Sequence, residues 1–121
     1  MATPNLINVD TITPKVAVGA VTTSRATIVD VTDEFCAKIN SLIIANIDGT
    51  NAADITVEVS VDNGSNYVKI ANTISVPADS SLSLIGKDNG FCLDESDLLA
   101  VTASAAGDLT YLVSYELMKD A

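Results

Sequence analysis

Hydrophobic and polar positions alternate along much of this chain. From residue 55 onward, Ile55, Val57, Val59 and Val61 fall on one side, and Thr56, Glu58, Ser60 and Asp62 on the other. A pleated strand with one buried face and one wet face requires that spacing. The cluster Asp62–Asn63–Gly64–Ser65–Asn66 then reads as a hairpin loop, with Tyr67–Ile74 returning antiparallel. The same logic predicts strands over Ala26–Val31, Ser81–Ile85, Leu98–Ala103 and Leu109–Leu117. Lys38–Ile47 is nearly continuously apolar at its centre, so it is expected as a central strand. In the last strand Leu109, Tyr111, Val113, Tyr115 and Leu117 share a face, and Ser104–Asp108 is expected to be the hairpin loop before it. Val16–Val21 adds a strand that Pro14 and Gly19 mark as an edge or a bulge.

The expected fold is all-β: an antiparallel sandwich, jelly-roll or immunoglobulin-like, of about seven or eight strands with turns roughly every 8–12 residues. Helix-period stretches are nearly absent, and at most one turn is expected over Ser96–Leu99. Residues 1–13 read as an extended N-terminal arm, because Pro4 and Pro14 discourage regular pairing. Residues 14–121 form the single domain that 121 residues can sustain.

Composition narrows the chemistry. There is no His, which removes the commonest general base and metal ligand. Sixteen Asp and Glu face six Lys and Arg, for a net charge of −10. Such a surface repels phosphates and anionic lipids, so neither nucleic acid nor membrane is an expected partner. No apolar run reaches the ~18 residues of a spanning helix. The opening MATPNLINVD lacks the basic and apolar regions of a secretory signal, so the chain is expected to be made and left in a cytoplasm. Cys36 and Cys92 form no CxxC and are too few for zinc. In a reducing compartment they are expected to be buried free thiols rather than a disulfide.

Each candidate site has a plain competitor. The Asp48–Gly49–Thr50–Asn51 and Asp62–Asn66 segments resemble calcium loops but lack the EF-hand ligand spacing, so ordinary Asx turn chemistry is expected. Asp94–Glu95–Ser96–Asp97 is denser, and a solvated loop remains the favoured reading. A glycosidase needs two carboxyls about 5 to 9 Å apart in a cleft, for which short loops leave little room. No GxSxG elbow and no glycine-rich phosphate loop occurs. No enzymatic activity, cofactor or metal is therefore expected. Arg25, the one arginine, is either an ion-pair anchor to a partner or an exposed strand-end charge. Leu6, Ile7 and Val9 either pack on a neighbouring chain or form an edge strand of their own domain.

Several segments carry a resemblance. Pro4–Val9, Lys38–Asp54, Ser75–Val76–Pro77–Ala78–Asp79–Ser80–Ser81–Leu82 and Leu112–Val113–Ser114–Tyr115–Glu116 follow in the order seen in small virion structural proteins of tailed bacteriophages, particularly those of cyanobacteria and other aquatic bacteria. The chain resembles these over roughly residues 4–117. Phe91–Asp97 departs from the aliphatic–Tyr–Leu–Glu–Glu–Gly-like stretch more usual there. The resemblance implies a place in a virion assembled in bacterial cytoplasm. The leading expectation is a capsid decoration, or cement, protein: a homo-oligomer, with a trimer favoured, contacting the major capsid protein or other virion proteins. The alternatives are a neck or tail-associated structural protein and a host-surface glycan-binding module using Tyr67 as its platform.

Overall fold

A computed structural model of the chain describes residues 9–86 and 89–120. Among these described residues nine strands run in the order β1 (Val9–Ala20), β2 (Ala26–Asp30), β3 (Phe35–Asn46), β4 (Ala53–Ser60), β5 (Val68–Val76), β6 (Ser81–Ile85), β7 (Phe91–Leu93), β8 (Leu98–Ala103) and β9 (Leu109–Asp120). All pairings are antiparallel. One sheet has the order β1-β9-β3-β6, with β7 pairing the other half of β3; the second has the order β2-β8-β4-β5. The sandwich expected from period-2 alternation is the observed architecture.

The core lies between the sheets and is aliphatic. Ile39, Leu42, Ile44, Ile55, Leu99, Leu109 and Val113 are among its fully buried side chains. β3 is central, as its apolar run predicts, and a bulge explains how that run packs. The β3–β9 register slips between Ile39 and Ser41, leaving Asn40 extra. The inward set therefore changes phase, from Ala37 and Ile39 before the bulge to Leu42 and Ile44 after it. At the far end of β3, buried Asn46 donates Nδ2 to the carbonyls of Asn51 (3.0 Å) and Val76 (2.9 Å) and accepts from the Asp48 N–H (2.9 Å). One amide thus closes that end of the sandwich.

Four expectations are corrected. First, Ser104–Asp108 is not a hairpin loop: β8 pairs β2 and β4 while β9 pairs β1 and β3, so the segment crosses between sheets. Sheets stack about 10 Å apart, a gap that five residues span. Second, β1 starts at Val9, so residues 9–13 of the expected arm are paired with β9. Pro14 is tolerated because β1 is an edge strand. Residues 1–8, with Leu6 and Ile7, lie outside the described residues. Third, β7 was not legible as a strand; three residues are too few for a period. Fourth, β4 does not keep a wet outer face. Glu58 and Ser60 are buried, whereas Val61 lies beyond the strand and is 68% exposed.

Candidate functional site

Surface chemistry separates into three places. The first is the outer face of the five-stranded sheet. Register puts Val18 of β1 opposite Leu112 of β9, and Leu112 opposite Ile43 of β3. Adjacent rows are Val16–Ser114–Ser41 and Ala20–Thr110–Ala45. None of these nine side chains is charged. Val16 and Val18 are 66% and 67% exposed, and Ile43 and Leu112 are also open to solvent. A shallow depression of about 420 Å³ lies among Val18, Ile43 and Leu112. Charge returns one row away, at Glu116 and Lys38, which flank each other in register. In a chain of net charge −10, an uncharged apolar field of this kind is the place where another protein surface approaches at least electrostatic cost.

Gly19 shapes this field from behind. It pairs with Tyr111, and a Cβ at Gly19 would sit 3.0 Å from a ring carbon of Tyr111. The missing side chain lets that ring lie under β1 while Val18 faces out.

The second place is the outer face of the four-stranded sheet, where Arg25 is found. Its Nε donates to Glu58 Oε1 at 3.0 Å and its Nη2 to Oε2 at 3.1 Å. The guanidinium carbon also lies 4.0 Å from the Tyr67 ring centre. The fork to Glu58 holds the guanidinium pKa above its usual value. Arg25 thus anchors a carboxylate of its own chain, and the arginine covers one face of the ring considered as a glycan platform. Alternation hides this pairing, because it assigns the Glu58 position to solvent.

The third place is the acidic loops. Asp62 accepts from the Asn66 N–H (2.8 Å), Asn66 Nδ2 (2.9 Å) and Ser60 Oγ (2.9 Å). Hydrogen bonds from Asn66, above all, lower its pKa. Asp48 accepts from the Thr50 N–H at 2.9 Å, which lowers its pKa likewise. Asn63 and Gly64, both at positive φ, make the tight turn that Asn-Gly favours. In the Asp94–Asp97 segment, Asp97 Oδ2 accepts from the Asp94 N–H (2.8 Å), and burial raises the Asp97 pKa. Glu95 accepts from the Glu34 N–H. These carboxylates cap loop amides. Among the described residues, no three His, Cys, Asp or Glu side chains gather as a metal-binding group would.

Of the cysteines, Cys36 is buried as expected, but Cys92 is exposed; both are free thiols. Among the described residues β7 is an edge segment paired with β3 alone.

No protein-family model matches the sequence, and no curated protein is similar to it. Among solved structures, the chain is similar to a subunit of Bacillus endospore appendages, which form disulfide-linked pili: TM-score 0.57 and 16% identity, covering 94% of this chain and 90% of that one. A pentameric capsid protein isolated from metagenomic phage sequences aligns at TM-score 0.38 and 19% identity, covering 95% of this chain and 62% of that one, or 67% in a second structure. That alignment is too loose to carry the architecture across. The likeness to the pilus subunit shows a shared two-sheet β fold.

Proposed function

We propose that this chain is a non-enzymatic structural subunit of a phage virion, a decoration protein that packs against its own copies and bridges neighbouring capsid subunits. The observation that carries this reading is the uncharged row Val18–Leu112–Ile43, exposed and in register across three strands. Soluble monomers seldom leave such a contiguous apolar field open unless a partner covers it. The sheet face is a better contact than the β1 edge, since Pro14 lacks an N–H and Lys15 adds charge there. Leu6 and Ile7, just before Val9, extend the contact onto a neighbouring subunit. The resemblance to phage virion proteins supports the location, and the pilus subunit offers a case in which this kind of fold builds an assembly. Burying area across subunit boundaries adds to the resistance of a shell that holds packed DNA.

Counting copies in purified particles tests the location. On the order of hundreds of copies per particle supports a shell protein, whereas about six or twelve indicates a ring at the neck or tail. Absence of the chain from purified particles would remove the virion reading altogether.

A further inference from the structure

The two thiols are neighbours on one face of one sheet. Lys38 of β3 lies opposite Cys92 of β7, and Cys36, two residues before Lys38, points to the same side. Cys36 and Cys92 are therefore diagonal cross-strand partners, and each thiol lies near enough to influence the other electrostatically. We propose that Cys36 and Cys92 are a disulfide-forming pair, converted by a small disulfide oxidant into an internal bond that ties β7 to β3. This proposal rests on the pairing of β7 with β3 and not on the assembly reading.

Diagonal partners on an antiparallel pair have Cα atoms roughly 7–8 Å apart, just beyond what a disulfide bridges without backbone movement. A small backbone shift closes the difference. β7 can supply it: the strand has three residues and, among the described residues, pairs only with β3.

Accessibility sets the order of events. The exposed Cys92, as thiolate, attacks oxidised glutathione, forming a mixed disulfide and releasing one glutathione thiolate. The Cys36 thiolate then attacks the Cys92 sulfur and expels the second glutathione thiolate. Both thiolates take up the protons that the cysteines lost. Two electrons pass from the cysteine pair to one glutathione disulfide, which leaves as two thiols. Burial, reinforced by nearby Cys92, Asp94 and Asp97, pushes the Cys36 thiol up to about 11. Ring closure therefore speeds up roughly tenfold per pH unit over the range where Cys36 is mostly protonated.

The test is to incubate the folded, reduced chain with oxidised glutathione at several pH values and follow intact mass. The expected end product is lighter than the reduced chain by two hydrogens, retains no glutathione and maps to a Cys36–Cys92 peptide pair. A transient glutathione adduct on Cys92 should precede it, and in Cys36→Ala that adduct should persist. A wild-type adduct that never resolves, or a Cys92-linked dimer as the final product, would overturn the proposal.

Discussion

Arg25 and Glu58, 33 residues apart in sequence, form a two-pronged ion pair in which the arginine side chain is 47% exposed and the glutamate 6%. The asymmetry decides what each mutation does. Arg25→Ala leaves a buried carboxylate without its partner, whereas replacing both residues with apolar ones removes the charge altogether. The urea midpoint of Arg25→Ala should fall clearly, and Arg25→Ala/Glu58→Leu should regain most of the loss. Arg25→Lys should recover only part, since an ammonium cannot make the fork. Additive losses in the double variant would show that the pair is not coupled.

Acid should loosen the β4–β5 loop through Asp62. Hydrogen bonds from Asn66 and Ser60 favour its ionised form, so its folded pKa lies below the ordinary 3.8. A carboxylate with a lowered pKa stabilises the fold above its unfolded value and loses that contribution as pH falls through the native one. Asp62→Ala should thus be less stable than wild type at neutral pH and converge with it in acid. The check is thermal melting across an acidic series, where an unchanging gap would contradict the assignment.

Most strands were legible because they obey one rule, alternation about a buried face. Ser81–Ile85 and Leu98–Ala103 have the bounds the pattern predicts. What escaped depends on long-range pairing. The bulge at Asn40 changes the inward phase of β3 only because β9 lies beside it. Buried Glu58 finds its ion-pair partner only because Arg25 arrives from before β2. The apolar sheet face was hidden for the same reason: Val18, Leu112 and Ile43 become one surface only once β1, β9 and β3 are neighbours. Sequence pattern gives a strand two faces, but pairing decides whether an apolar outer face becomes contiguous.

The N-terminal residues give a separable test. Removing residues 2–8 takes no residue from any described strand. Assembly should weaken at least about tenfold, roughly 1.4 kcal/mol, while the far-ultraviolet β signal stays unchanged. Loss of that signal would mean that Leu6 and Ile7 belong to their own domain's fold.

Ionic strength should act in one direction. Copies carrying −10 each repel one another, and salt screens that repulsion over about 8–10 Å. An interface built on Val18, Leu112 and Ile43 has no ion pair to weaken, so association should tighten from dilute buffer to moderate salt near neutral pH. Dissociation on adding salt, followed by light scattering, would point to an interface held by charge.

The most direct test of the assembly surface is sedimentation velocity of the wild-type chain beside Val18→Lys at matched concentrations. Val18 is 67% exposed on an edge strand, so the substitution should change folding stability by no more than about 0.5 kcal/mol. It also lowers the net negative charge, so any lost association reports the apolar contact rather than added repulsion. The wild-type chain is expected to sediment as an oligomer and Val18→Lys as a folded monomer. A monomeric wild-type chain at every concentration, or a variant that keeps the oligomer, would contradict the role assigned to this sheet face.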